Sequence, residues 1–407
     1  MKSEKQRKIF IALPVLDEMD YLPELISNIK KQNFKSFELF VCVNQPNEWW
    51  LNPEKEIICK NNLLAIELLQ KEKQFPITII DKTSKGKGWE KKKFGVGWAR
   101  KTIMDKICLK ADNNDIILTL DADTKFSENY FNSIIDSFNE KEKIVALSIP
   151  YYHNLTGNIN ADRSILHYEI YMRYFSLNLW RISNPYRFTA LGSAIAVPVW
   201  TYKTIGGITP RKSGEDFYFL QKLRKYGKIK IWNNEKVFPA ARFSDRVFFG
   251  TGPAMIKGNN GDWLSYPFYH FSLFDKINTT FDLFSNLYER DIITPMSDFL
   301  NTQFRSTNIF KPLRKNFKTR KNFIKACEDK IDGLRILQFL KSSHKTNINN
   351  DEKNLIEYFT KFYKNDEIDR LNLNDFSFSK SPISHLNLIR DFLVVEESDI
   401  QRKTQII

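Results

Sequence analysis

Over its first half the chain repeats one pattern: a short run of β-branched and other apolar residues, a polar turn, then a stretch with apolar residues every three or four positions. IFIAL at 9–13, ELFVCV at 38–43, ITII at 77–80, DIILTLD at 115–121 and KIVALSI at 143–149 predict strands. Between them, Tyr21 to Lys31, with Leu22, Leu25, Ile26 and Ile29 on one face, Asn61 to Lys73, Trp98 to Leu109, and a stretch capped by Ser127 and ending near Phe138 predict helices. Strands that alternate with helices in this way pair side by side in parallel, with the helices packed on the sheet faces. The expected fold class is α/β, with a mostly parallel, Rossmann-like sheet flanked by helices.

Further on, residues 161–182 read as a long, mostly apolar helix and SAIAVPV at 193–199 as a strand. Glu215 to Tyr226 reads as a helix stopped by Gly227, and IKIW and KVFPA as short strands. Past residue 275 the β signal fades into amphipathic helices, with polar linkers near 342–351 and 376–385. The expected division is a core of residues 1–270 and a mainly helical C-terminal region, 271–407.

With 42% hydrophobic residues the chain is neither disordered nor collagen-like. Its longest apolar run, Ile9 to Leu16, falls short of the about 18 residues that span a bilayer. The basic start MKSEKQRK leads into no cleavable apolar segment, so a cytoplasmic protein is expected. Cys42, Cys59, Cys108 and Cys327 lie far apart, which excludes a zinc knuckle or a disulfide scaffold and predicts buried thiols. A net charge of +14 attracts phosphates of any kind, nucleic acid included. Residues 1–270 carry +11 of it and 271–407 only +3, so a phosphate partner belongs to the front part.

In an open parallel sheet, ligands bind outside the carboxyl ends of the strands. The residues that follow the first four strands are Pro14-Val15-Leu16-Asp17-Glu18, Asn44-Gln45-Pro46, Asp81 with KTSKGKGWEKKK, and Asp121-Ala122-Asp123. Carboxylates, an amide and a Lys/Gly segment should therefore meet on one rim, a setting for a metal-bound nucleotide diphosphate. The D-x-D pair aims Asp121 and Asp123 the same way, and two hard oxygen ligands suit Mg²⁺ or Mn²⁺. The alternative is a turn with two solvated aspartates. Gly214-Glu215-Asp216 opens a helix, where carboxylates either simply cap the dipole or supply a general base. GVGWARK lacks the spacing of a dinucleotide fingerprint, and no phosphate-binding G-x-x-x-x-G-K-[ST] loop occurs.

These pieces in order (IALPVLDE, FELFVCVN, GVGWARK, LDAD, LGSAIAVPVWTYKTIGG and GEDFYFLQKLRKYGKI) resemble the family 2 glycosyltransferases, which have the GT-A, or nucleotide-diphospho-sugar transferase, fold. VFPAARFSDRVFFGTGPAM resembles a segment of a bacterial subset of them. The resemblance implies an enzyme that moves a single sugar from a UDP- or GDP-sugar to a hydroxyl of a glycan or lipid-linked acceptor, with Mn²⁺ or Mg²⁺. By position, Pro14, Asp17, Glu18 and Asn44 would line the nucleoside pocket. Many relatives have Asp where this chain has Asn44, and an amide leaves uridine or guanosine open. Arg100 would reach the base or the phosphates, and Asp121 and Asp123 would hold ribose and metal. Asp216 would be the catalytic base, with Glu215 positioning it or the acceptor. Lys85, Lys87, Arg242 and Arg246 would balance the leaving diphosphate, with Gly86 and Gly88 letting the lysine loop close over the donor; the alternative for that loop is a solvated basic surface. His270 stands near where some relatives supply a third metal ligand, or else is an ordinary packing residue. QKLRKY at 221–226 superficially matches the Q-x-x-R-W of processive synthases but directly follows Glu-Asp and ends in Tyr226, so processive synthesis is not expected.

The stretch 304–325 interleaves Phe304, Phe310, Phe317 and Phe323 with Arg305, Lys311, Arg314, Lys315, Lys318, Arg320, Lys321 and Lys325 and holds no acid. Such a stretch suits peripheral contact with the inner face of a membrane; the alternative is a solvated helix face packed through its phenylalanines. Rival functions are a retaining GT-A enzyme and a non-catalytic nucleic-acid- or carbohydrate-binding module on a GT-A shell. The intact Asp121, Asp123 and Asp216 speak against the module, and no nucleic-acid partner is expected.

Overall fold

The computed structural model describes residues 7–90, 93–140, 142–246, 249–344 and 350–407. Of the segments named above, MKSEKQ, Lys91 and Lys92 of the lysine loop, Val247, Phe248 and linker residues 345–349 lie outside the described residues. In chain order the elements are β1 (Ile9–Val15), α1 (Leu22–Lys30), β2 (Phe37–Asn44), α2 (Glu56–Lys71), β3 (Ile77–Lys82), α3 (Val96–Cys108), β4 (Ile116–Thr119), β5 (Thr124–Lys125), α4 (Tyr130–Asn139) and β6 (Ala146–Ser148). They continue as α5 (Ile159–Arg181), β7 (Ile195–Pro198), α6 (Val199–Thr204), α7 (Glu215–Tyr226), β8 (Ile229–Lys230), β9 (Phe238–Pro239) and α8 (Thr251–Asn259). The rest is helical: α9 (Phe271–Asp282), α10 (Phe284–Leu287), α11 (Ser297–Phe304), α12 (Phe310–Asn316), α13 (Arg320–Lys330), α14 (Gly333–His344), α15 (Asp351–Phe362), α16 (Asn365–Leu371) and α17 (Ile383–Thr404).

The chain divides into two compact units less simply than a single cut after residue 270 would have it. One comprises the chain up to Ile165, Phe188–Gly261 and Gln401–Ile407; the other comprises Leu166–Arg187 and Asp262–Ile400. Long helices carry the chain from one to the other: α5 begins in the first unit and ends in the second, and α17 does the reverse. The last residues stay with the first unit because Ile407 and Ile229 exchange backbone hydrogen bonds of 2.9 Å along the edge of β8.

In the first unit a seven-stranded sheet has the order β3-β2-β1-β4-β7-β6-β8. β1 and β2 are buried along their whole length, as near-continuous apolar runs must be when both sheet faces are covered. β3, β2, β1 and β4 are mutually parallel. The winding runs outward from β1 to β3 and returns with β4 on the other side of β1. The order thus reverses between β1 and β4, and their carboxyl ends border the crevice.

β7 was expected as a strand but runs antiparallel to β4 and β6, a direction that apolar patterning does not encode. Its first residue, Ile195, pairs with Thr119 at the end of β4. The loop before β7 therefore reaches the same rim as Asp121. The small β5–β9 pair does likewise for the chain after Pro239, since Ala240 N donates to Asp123 O at 3.1 Å. Ser127 is not the N-cap of α4; that place falls to Asn129, whose N–H donates to Ser127 Oγ at 3.3 Å. Cys42, Cys59 and Cys327 are buried and Cys108 half-buried.

The second unit packs α5 residues beyond Ile165 with α9 to α17. A buried ion network closes its core: Glu169 and Glu397 accept from Arg173 at 2.6 and 2.5 Å, and Ser176 donates to Glu397 at 2.6 Å. His270 caps α9 and lies 2.9 Å from Glu357, as a packing residue does. Among the described residues no helix is long and apolar enough to cross a membrane.

α3 is placed by a close approach. A Cβ on Gly97 would lie 2.3 Å from Arg211 O, a backbone atom of the loop that leads into α7. Gly97→Ala is expected to cost about 1–3 kcal/mol through this overpacking, seen as a lower urea midpoint with unchanged denaturant slope.

Candidate active site

Eight of the residues singled out in the sequence meet at the β1–β4 crevice, in two groups organised by arginines. Arg100, one turn into α3, is buried, and its guanidinium forks between Asp121, just past β4, and Glu215, the first residue of α7. The space for the fork comes from Gly192 in the loop before β7: a Cβ there would lie 2.2 Å from Arg100 Nη1. Arg100 therefore acts beneath the rim, on carboxylates. Gly192 had no assigned role in the sequence; its only signal was its place in the LGSAIAVPVW segment.

The second group stands on Glu18, which follows β1. Arg242 donates to both Glu18 oxygens at 2.9 and 3.0 Å and pairs with Asp123 at 2.6 Å, while its guanidinium covers the Tyr21 ring. Arg246 approaches Glu18 to 2.8 Å and donates to Leu16 O and Asp17 O at 2.7 and 3.0 Å.

Burial dominates the electrostatics. It raises the Glu215 carboxyl to about 7 against the opposing pull of Arg100. Asp216 beside it is raised for the same reason, again opposed by Arg100. Asp123 is pushed up to about 6 by burial, with Arg242 opposing and Glu18 adding. The helix dipole at the start of α7 favours both anions there, and Gly214, in a left-handed conformation (φ 71°), turns the chain into that start.

The loops are held by buried amides. Asp17 takes a positive φ of 56°, with its N–H donating to Asn62 Oδ1 at 2.8 Å and its carboxylate accepting from Asn61 at 2.9 Å. Asn62 and Thr83 both donate to Gln45 Oε1, at 2.8 and 2.6 Å. Asn44 is buried; its amide donates to Val15 O at 2.9 Å and accepts from Trp89 Nε1 at 3.0 Å. Pro14 is buried within β1.

The described part of the lysine loop is tied to the chain after β2. Trp89 and the Gln45–Asn47 backbone exchange hydrogen bonds of 2.8 and 2.9 Å, and a Cβ on Gly88 would lie 2.7 Å from Asn47 Cα. Gly88 is thus required for close contact with Asn47. Lys85 lies over the Trp50 ring and Lys87 pairs with Asp81 at 2.9 Å.

Among the described residues no group of three or more His, Cys, Asp and Glu forms a ready metal site. Asp121 Oδ1 and Asp123 Oδ2 face arginines, which leaves Asp121 Oδ2 and Asp123 Oδ1 to offer. Two hard oxygens fit Mg²⁺ or Mn²⁺, ions that take most of their ligands from phosphate and water.

No family model matches the chain, and no curated protein matches it. Among solved structures, it is similar to S. aureus TarS 1–349 in complex with UDP-GlcNAc, with 13% identity, 83% of this chain and 92% of that one covered, and a TM-score of 0.41. It is also similar to the mannosyltransferase PcManGT from Pyrobaculum calidifontis in complex with GDP-Man and Mn²⁺, with 11% identity, 97% and 88% covered, and a TM-score of 0.38. Likenesses this distant assign no activity, and the functional reading rests on the residues of the rim.

Glu215 titrates higher folded than unfolded, so its contribution to stability falls as pH rises from 4.5 toward about 7. Arg100 limits that fall. Arg100→Met is expected to cost about 3–5 kcal/mol near neutral pH, because it strands buried carboxylates. The loss should shrink toward about pH 5, where those carboxylates take up protons, as urea denaturation at both pH values would show.

Proposed function

We propose that this protein is a metal-dependent glycosyltransferase that moves one sugar from a UDP- or GDP-sugar to a hydroxyl of a glycan or lipid-linked acceptor, with inversion, in bacterial surface glycan or glycolipid synthesis. The observation that carries the reading is the gathering of Glu18, Asp121, Asp123, Glu215 and Asp216 with Arg100, Arg242 and Arg246 at the switch point of the sheet, together with the resemblance of those segments to family 2.

In a single displacement, the acceptor oxygen bonds to the anomeric carbon as the bond from that carbon to the diphosphate breaks. The acceptor hydroxyl's proton must leave and the diphosphate's negative charge must be met. Asp216 is the group for the proton: it is half-buried at the start of α7, and its raised pKa makes its carboxylate a stronger base than a solvated aspartate. Glu215, clamped by Arg100, positions it. Arg242 and Arg246 stand ready for the phosphates, held meanwhile by Glu18 and Asp123. Asp121 and Asp123 would hold Mn²⁺ or Mg²⁺, which when bound neutralises diphosphate charge. Lys85 and Lys87 would have to leave Trp50 and Asp81 to join them.

A thermal-shift screen against UDP- and GDP-sugars with Mn²⁺ should show stabilisation by the true donor, about 2.7 kcal/mol at a hundredfold excess over Kd. Asp216→Asn should keep that stabilisation and lose about 10²–10⁴-fold in turnover, whereas Arg242→Gln should lose the stabilisation itself. Unimpaired transfer by Asp216→Asn overturns the assignment, and anomeric NMR of the product decides inversion.

A further inference from the structure

The basic stretch of the helical unit divides by structure into two sets of side chains. One set is spent internally. Phe310 and Phe323 are buried, Arg314 pairs with Asp291 and donates to Leu287 O at 2.6 Å, Arg320 pairs with Glu289, and Lys325 pairs with Asp329 at 2.7 Å. The other set faces solvent around the turn between α12 and α13. Lys315, Lys318 and Lys321 are exposed, and no described carboxylate lies within ion-pair distance of any of them. Phe317, at the same turn, is 36% exposed.

The turn is held in shape. Tyr288 donates to Lys318 O at 2.7 Å, and Thr319 caps α13 by accepting from Asn322 N at 3.3 Å. The loop after Asp291, anchored to α12 by Arg314 and to the chain before it by Asn308, carries Ile293, 89% exposed. Ile293 thus stands in water two residues from Asp291, the partner of Arg314 in α12, and Phe317 shows 36% of its surface at a turn whose unpaired charges are all positive.

We propose that the α12–α13 turn is a docking surface for an anionic lipid bilayer, with Phe317 entering the interfacial layer and Lys315, Lys318 and Lys321 facing headgroup phosphates. Water gains nothing from an exposed Phe and Ile, and the lipid interface takes both while anionic headgroups meet the lysines. A nucleic acid would satisfy the cations but would take up an aliphatic side chain such as Ile293 only at the cost of unstacking its bases, whereas the lipid interface takes it at no such cost. The proposal is independent of the transfer reaction, because no residue of the crevice enters it.

The test is co-sedimentation of the full chain with vesicles of phosphatidylcholine alone and of phosphatidylcholine mixed with phosphatidylglycerol. Binding is expected only to the anionic vesicles and should weaken with added salt. Changing Lys315, Lys318 and Lys321 to Gln together should lower the partition about a hundredfold, at about fivefold per charge. Phe317→Ala should lower it several-fold more, measured well below the variant's unfolding transition, which the loss of a part-covered ring brings down. Changing the exposed Lys31, Lys71 and Lys106 to Gln removes the same charge elsewhere and should leave most of the binding in place. Absence of binding to anionic vesicles, an equal loss in the control variant, or an unaffected Phe317→Ala overturns the proposal. Binding of single-stranded RNA that depends on the same three lysines and displaces the vesicles would also overturn it and assign the surface to nucleic acid.

Discussion

The buried guanidinium of Arg100 is the interaction on which the crevice depends. It joins three elements far apart in sequence: α3, the end of β4 through Asp121, and the start of α7 through Glu215. A carboxylate as buried as Glu215, 2% exposed, carries a large desolvation cost unless a cation answers it. Two absences of a side chain make the fork fit, at Gly192 against the guanidinium and at Gly97 against the loop before α7. Where Asp216 sits follows from this, since it is the next residue after the clamped Glu215 and its pKa is set by burial against the same cation.

Around that charge the rim is assembled from neutral amides. Asn44, Gln45 and Asn62 tie the ends of β1, β2 and β3 to α2 and to the lysine loop, each through donor and acceptor together. An amide that is fully hydrogen-bonded costs less to bury than a charge and fixes two loops at once. Of the charged residues, Asp121, Asp123, Asp216, Arg242 and Arg246 keep part of their surface exposed, whereas Glu18, Arg100 and Glu215 are buried beneath them.

Much of this could be read in the sequence, and what escaped it did so for identifiable reasons. The strands β1 to β4 are written in apolar runs bounded by turns, and the residues after them (Glu18, Asp121, Asp123) do meet with Glu215 and Asp216. The direction of β7 is not a property of its composition, so the arrival of Gly192 at the rim could not be foreseen. The hydrogen bond from Trp89 to the Asn44 amide leaves no mark in the sequence, because the two residues are 45 positions apart. Gly88 reads in the sequence equally as a hinge or as a close contact, and the Asn47 backbone beside it is what makes it a close contact. The helical unit takes the chain from Leu166, partway along α5, to Arg187 beyond its end, a partition that depends on packing and leaves no compositional mark.

The net charge of +14 is misleading at the one place where charge matters most. The first unit holds most of the basic excess expected to meet a diphosphate, yet the crevice sets five carboxylates (Glu18, Asp121, Asp123, Glu215 and Asp216) against three arginines. With all of them ionised, the cluster carries a formal deficit of two charges in a largely buried place. A protein can meet such a deficit with protons, and the raised pKa values of Asp123, Glu215 and Asp216 express that tendency. A divalent cation at Asp121 and Asp123 would meet it equally well and would leave Asp216 free to ionise. The carboxylate surplus therefore favours protons in the crevice. The same surplus explains why Arg242 is held by Glu18 and Asp123 at once, two anions sharing one guanidinium.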